Sequence, residues 1–208
     1  MTLVKVCGIT NLEDALAAIE AGADMLGFNF YTRSPRRVEP GAARAVVERM
    51  PQGVACVGVF VNEPSPAEVL GIARESGMSA VQLHGDETPE FCRALEGLTT
   101  IKALRVGKDY RVETAAAYAT DAVLLDAYAP DAFGGTGHTF DWTLARATRE
   151  AVPRLFLAGG LKPSNVAAAV AAVAPYALDV CSGVETSPGR KSFQMMRDFV
   201  AAVRGIKY

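Results

Sequence analysis

The chain has 208 residues, half of them apolar and 21% charged, which excludes a disordered chain and supplies core for one medium domain. Its 21 basic and 23 acidic side chains leave a net charge of -2, against the net basic footprint that a nucleic-acid partner requires. The longest stretch without a charge, 163–178, contains Pro175 and is too short to span a bilayer, so no membrane partner is expected.

The sequence opens on a strand-like run, Leu3-Val4-Lys5-Val6-Cys7, and reaches Glu13-Asp14 soon after. That is not the pattern of a secretory leader, and the expectation is a cytoplasmic protein. A strand over 3–7 ends in Cys7, and a helix over 11–21 follows, opened by Thr10 or Asn11 and closed near Gly22. The second strand, 25–30, leads through Ser34-Pro35-Arg36-Arg37-Val38 to a helix over 41–50. The third unit is a strand over 55–60 and a helix over 66–76, with Ser65, Pro66 and Glu68 at its start and Gly77 at its end. Strand 80–83 is followed by His84 and Asp86, then by a helix over 89–95 behind Thr88. Strand 101–104 and helix 110–119 make the fifth unit. Strand 122–126 ends in Asp126 and gives way to Gly134-Gly135-Thr136-Gly137-His138, a lid or a plain glycine-rich connector, before helix 141–150. The seventh strand, 154–158, runs into Gly159-Gly160-Leu161 and a helix over 163–174. The eighth, 177–181, runs into Ser182-Gly183, a short extra helix and a last helix over 193–204.

The strands are short, nearly continuous apolar runs, as in a sheet buried on both faces. Eight βα units with no linker and no shift in composition predict one domain over 1–208, a closed (β/α)8 TIM barrel. An open doubly wound sheet is the alternative, but the Val6-Cys7-Gly8-Ile9-Thr10 turn is no dinucleotide fingerprint.

In such a barrel the residues that follow each strand converge on one mouth. Here they are Cys7, Asn29, Asn62, His84 with Asp86, Arg105, Asp126, Gly159-Gly160 and Ser182-Gly183. Glycine and asparagine are ordinary turn residues; Cys7, His84 and Asp126 stand out against that background. Gly159-Gly160 after strand seven and Ser182-Gly183 after strand eight, each near a helix start, predict an anion site built from backbone N–H groups. Asp126 ends an otherwise apolar strand, as a functional carboxylate or a salt-bridge partner. A thiol such as Cys7 acts as a base when a nearby cation lowers its pKa. Strand alternation puts Lys5 on the side of Cys7, and closure brings Asp179 of strand eight within reach of Lys5. That pair either satisfies only itself or sets a cation beneath the Cys7 thiol. Arginines at 36 and 37 suit a carboxylate, or are simply solvated. The four cysteines, at 7, 56, 92 and 181, have neither metal spacing nor a CxxC pair, and there are only two histidines. No zinc site is expected, and Cys56 and Cys92 are read as small buried hydrophobes.

Taken in order, several segments resemble the phosphoribosylanthranilate isomerase family of tryptophan biosynthesis, and the resemblance covers the whole chain. They are Lys5-Val6-Cys7-Gly8-Ile9-Thr10, Gly27-Phe28-Asn29-Phe30, Ser34-Pro35-Arg36, Val59-Phe60-Val61-Asn62 and Val81-Gln82-Leu83-His84-Gly85-Asp86-Glu87 in the first half. Leu125-Asp126, Gly134-Gly135-Thr136-Gly137 with Phe140-Asp141-Trp142, Leu157-Ala158-Gly159-Gly160-Leu161 and Asp179-Val180-Cys181-Ser182-Gly183-Val184-Glu185 with Pro188-Gly189 complete the set. The resemblance implies a (β/α)8 barrel and an Amadori rearrangement of N-(5-phosphoribosyl)anthranilate to 1-(2-carboxyphenylamino)-1-deoxyribulose 5-phosphate. It implies Asp126 as general acid, Cys7 as general base, Arg36 on the anthranilate carboxylate, and Gly160, Ser182 and Gly183 on the phosphate. The implied partner is a small phosphosugar, the implied assembly a monomer or homodimer, and neither metal nor organic cofactor is called for. Two positions depart from the family pattern. Cys181 stands where Ser or Asn more often precedes Ser-Gly, and His138 stands where the glycine loop often continues with Lys. Rival readings are another phosphosugar barrel enzyme, of the histidine pathway or an indole-forming synthase, and a phospholigand-binding barrel without catalysis. Cys7, Asp126 and Arg36 together separate the isomerase from all three.

Overall fold

The structure, a computed structural model, describes residues 1–95, 97–127 and 141–205. Strands β1 (Leu3–Cys7), β2 (Met25–Asn29), β3 (Ala55–Phe60), β4 (Ala80–Leu83), β5 (Thr99–Val106), β6 (Ala122–Ala127), β7 (Leu155–Leu157) and β8 (Ala177–Val180) close into a parallel barrel in chain order. β8 returns to β1 with Lys5 opposite Asp179 and Val6 opposite Val180. Between the strands lie α1 (Leu12–Glu20), α2 (Pro40–Val47), α3 (Pro66–Ser76), α4 (Pro89–Arg93), α5 (Val112–Ala116), α6 (Trp142–Ala151) and α7 (Val166–Val173), and α8 (Phe193–Arg204) follows β8. The predicted barrel is the observed one.

The caps form as their chemistry requires. Asn11, Ser65 and Thr88 each accept a backbone N–H three residues on, from Asp14, Glu68 and Phe91. Boundaries moved where a local competitor won. α7 starts at Val166 rather than at position 163, because Asn165 turns its side chain on the preceding loop instead of extending the helix. β8 stops at Val180, where Cys181 turns into a 3-10 turn over Ser182–Val184. β5 gains two residues at each end against the predicted 101–104. α4 and α5 have five residues each, fewer than the spans read for them. A small antiparallel pair, β9 (Glu185–Ser187) and β10 (Arg190–Lys191), was not legible in the sequence. Strands of three and two residues are too short for alternation to register. The glycine-rich segment at 134–138 lies outside the described residues.

Strand alternation sorts the side chains into two cores. Val4, Val6, Leu26, Phe28, Val81, Leu83, Val123, Leu125, Leu178 and Val180 face outward and pack under the helices. Met25, Val57, Ala80, Ile101, Ala103, Leu124, Phe156 and Ala177 fill the barrel. Two residues further along the same inward rows the chain turns polar, at Lys5, Gln82 and Asp179, all buried. The next inward step reaches Cys7, His84, Asp126 and Cys181. The apolar fill is therefore the floor of the site.

A second buried ion pair braces the loops beside the mouth. Lys102, on the outer face of β5, reaches Glu87 at 2.6 Å and the Gly85 carbonyl at 2.8 Å. Glu87 in turn accepts the backbone N–H groups of Asn62 and Gly85. Lys102→Met is expected to destabilise the fold by about 3–5 kcal/mol, because it leaves the Glu87 carboxylate buried without its cation. A urea midpoint unchanged from the parent would show that the brace carries no load.

Candidate active site

At the C-terminal end of the barrel the strand ends enclose a cavity of about 320 Å³. Cys7, Arg36, Asp126, Gly160, Ser182 and Gly183 all line it, so the structure brings every predicted site residue to one place. Three other strand-end residues do not join them. Asn62, Asp86 and Arg105 form their own network: Asp86 N–H donates to Asn62 Oδ1, and the Arg105 guanidinium pairs with the Asp86 carboxylate. They shape the loops after β3 and β4 and stand outside the cavity.

Cys7 closes β1 and is 8% exposed. Two residues below it, fully buried Lys5 donates to Asp179 Oδ1 at 2.8 Å. The sequence expectation of that pair holds. Burial works to lower the Lys5 pKa, but Asp179 and the Cys7 sulfur outweigh it and keep the ammonium charged. Burial pushes the Asp179 carboxyl up to about 6 against the pull of Lys5. The Cys7 thiol is held well below its ordinary value. A hydrogen bond from the Cys181 thiol is the largest cause, and Lys5 and Lys191 add their charges against the cost of burial. Of the two readings left open for Lys5, the cation beneath the thiol is the one the electrostatics support. Cys181, as the proton donor, is correspondingly raised.

Asp126 is the inward-facing residue near the end of β6, 4% exposed. His84 Nε2 lies 3.4 Å from its Oδ2. Gln82 Nε2 lies 2.9 Å from His84 Nδ1; with the amide as donor, the ring proton is on Nε2 and faces Asp126. A fully buried glutamine therefore sets the orientation of the imidazole. His84 stands out among the strand-end residues in sequence, and the contact with Asp126 gives it a place in the site.

Arg36 lies in the loop after β2. Its Nε and Nη2 fork Glu185, at 2.9 and 2.7 Å, and Nη1 takes no part in that fork. Glu185 also accepts Lys191 Nζ at 2.8 Å, and that ammonium lies 3.9 Å from Cys181 Sγ. Sequence reasoning missed Glu185 and Lys191 as members of the site. Only the β9–β10 turn, itself illegible, brings Lys191 back beside the mouth.

The loops after β7 and β8 are built to approach closely. Gly159 and Gly160 both have left-handed φ, 85° and 61°, which other residues adopt at a cost. Asn165 ties the loop down, donating to the Gly160 carbonyl and accepting the Lys162 N–H. A Cβ on Gly183 would collide with the Leu161 carbonyl, so the two loops meet backbone to backbone only because Gly183 has no side chain. Gly183→Ala is expected to pry them apart and raise KM for a phosphorylated ligand about tenfold or more, the worth of one or two hydrogen bonds to a charged group. Steady-state kinetics check this; an unchanged KM would remove Gly183 from the ligand site.

A closed (β/α)8 barrel with an acid, a thiol and two glycine loops at its C-terminal mouth defines a barrel enzyme, of the kind whose chemistry is set by strand-end residues. The family model for N-(5'-phosphoribosyl)anthranilate isomerase matches residues 4–202. A relative from Geobacter sulfurreducens with that name is 50% identical over 205 residues, 99% of this chain and 100% of its own. The crystal structure of phosphoribosyl anthranilate isomerase from Thermotoga maritima superposes with a TM-score of 0.92 at 43% identity, covering 99% and 100% of the two chains. Another isomerase structure, in complex with reduced 1-(o-carboxyphenylamino)-1-deoxyribulose 5-phosphate, gives 0.89 at 42%, again over 99% and 100%. The chain belongs to the phosphoribosylanthranilate isomerase family.

Proposed function

We propose that this chain isomerises N-(5'-phosphoribosyl)anthranilate in tryptophan biosynthesis with Asp126 as general acid and Cys7 as general base. The observation that carries the reading is that an acid and an activated thiol share one cavity with Arg36 and the two glycine loops. Asp126 gives its proton to the ribose ring oxygen as the C1–O bond breaks, and the anthranilate nitrogen closes a C1=N iminium. The iminium acidifies the C2 proton, so the Cys7 thiolate suffices to remove it. The resulting enolamine tautomerises to the ketone, and no atom is gained or lost. Nη1 of Arg36 faces the anthranilate carboxylate. The backbone N–H groups of Gly160, Ser182 and Gly183 receive the phosphate. Holding the two ends fixes the sugar between acid and base, which is the orientation term of the catalysis.

All six residues come from one chain, so a monomer and a homodimer serve the reaction alike, and residues 1–208 act as one barrel domain. Among the described residues no helix is long and apolar enough to cross a membrane, in keeping with an enzyme of cytoplasmic biosynthesis. The chemistry requires neither metal nor organic cofactor.

The test is turnover of phosphoribosylanthranilate generated in situ, followed through loss of its fluorescence. Rapid loss is expected, and a folded chain that leaves the signal unchanged would overturn the assignment. A depressed thiol pKa also has a sign. The base form of Cys7 persists as pH falls below the ordinary thiol value near 8.5 and is lost only on passing its own lower pKa. Iodoacetamide labelling of Cys7 is therefore expected to be half-maximal well below pH 8.5. A midpoint at or above that value would mean the base is not activated.

A further inference from the structure

The isomerisation needs one thiol, yet two meet at the seam between β1 and β8. We infer that Cys7 and Cys181 form a peroxide-reactive dithiol site, in which a hydroperoxide oxidises Cys7 and Cys181 resolves it as an intramolecular disulfide. The inference goes beyond the isomerase reading and does not depend on it.

The strand register carries the argument. Lys5 stands opposite Asp179 and Val6 opposite Val180; Cys7 is the next residue of β1 and Cys181 the first residue beyond the end of β8. Lys5 and Asp179 touch at 2.8 Å inside the barrel, and alternation turns the residues two positions on to the same side. The Cys181 sulfur packs on Gly8, the residue next to Cys7: a Cβ there would lie 3.1 Å from it. The last paired residues of the seam, Val6 and Val180, stand a strand spacing of about 4.7–4.9 Å apart, and a disulfide spans roughly 4.4–6.8 Å between Cα atoms. Both cysteines line the cavity, which a small peroxide enters. Lys5 beneath and Lys191, 3.9 Å from Cys181 Sγ, flank the sulfurs with positive charge, the setting of reactive cysteines. Cys56 and Cys92 are the built-in controls: both are buried, and burial pushes both thiols up to about 11.

The chemistry balances in two steps. Cys7 sulfur attacks the peroxide, forming S–O and breaking O–O; sulfur is oxidised by two electrons, and the leaving oxygen departs, from hydrogen peroxide, as water. Cys181 sulfur then attacks the sulfenic acid, forming S–S and breaking S–O, and its proton leaves with the hydroxide as a second water.

The test treats the full-length protein with one equivalent of hydrogen peroxide, blocks free thiols under denaturing conditions and digests with trypsin without reductant. Free thiols are expected to fall from four to two. The peptides 6–33 and 155–190 are expected to run as one cross-linked species that a dithiol reductant separates. In Cys181→Ser the cross-link is expected to vanish, and Cys7 becomes labelled by a sulfenic-acid-trapping 1,3-dione. The inference is overturned if the wild type gives no such cross-link, or if Cys56 or Cys92 is oxidised first. Turnover is not the readout, so failure here leaves the base assignment standing, and failure of the turnover assay leaves the dithiol standing.

Discussion

Asp126→Asn is expected to lower kcat by about 10²–10⁴-fold, the worth of a positioned general acid. Asparagine has the same shape, so the β6 end keeps its packing and the neighbouring His84 stays 3.4 Å from where the carboxylate was. What is lost is the proton for the ring oxygen. KM is expected to move little, since Arg36 and the glycine loops hold the two ends of the substrate. Cys7→Ala removes the other half of the proton traffic and is expected to cost a similar factor. The double variant is expected to lose less than the product of the two, because acid and base serve one route and either deletion already closes it. Fluorescence kinetics on all three, with circular dichroism to confirm folding, decide the matter. An asparagine variant with parental kcat would strip Asp126 of the role.

Lys5→Met is expected to act on stability and on the thiol together. The ammonium is fully buried, and its removal leaves the Asp179 carboxyl without its cation inside the barrel, at a cost of about 3–5 kcal/mol. That cost depends on pH with a definite sign. Burial already raises Asp179 to about 6, and loss of Lys5 raises it further. The folded variant then binds a proton that the unfolded chain has released, so its stability falls as pH rises. The deficit is expected to be smaller at pH 5 than at pH 8 by chemical denaturation. Cys7 loses one of the charges that depress its pKa, so the pH of half-maximal alkylation is expected to rise. Cys181 and Lys191 remain, and the rise stops short of an unassisted buried thiol. A Lys5→Met, Asp179→Leu pair is expected to recover stability while keeping the raised thiol. An alkylation profile identical to the parent would show that Lys5 braces the fold and leaves the base untouched.

The barrel was legible because its signals are local and repeated. Each strand is an apolar run, and several helices start on a capping side chain whose contact is with its own neighbours. The mouth was legible for the same reason: Cys7, Asp126, Gly159-Gly160 and Ser182-Gly183 each stand at or just after the end of a strand. Lys5 with Asp179 was legible because alternation and closure together specify a single register. What stayed hidden depends on chain reversals too short to leave a pattern. Lys191 reaches Glu185 only through a turn at Gly189, and neither strand of that hairpin is long enough to alternate. The grouping of Gln82, His84 and Asp126 stayed hidden for another reason. His84 and Asp126 come from strands β4 and β6, with β5 between them in the sheet, and contact across a barrel mouth leaves no trace in sequence spacing.

The seam between the first and last strands has a consequence for the history of each molecule. A ribosome makes Lys5 and Cys7 well before it makes Asp179, Cys181 and Lys191. Until the eighth strand docks, a partly made chain carries an ordinary, weakly nucleophilic thiol at Cys7. The contacts that arm it span more than 170 residues, the kind of long-range closure that comes late in folding. Reactivity at Cys7 is thus a report that the ring of strands has shut, and a chain cut short before position 177 is chemically quiet at the very residue that would do its work.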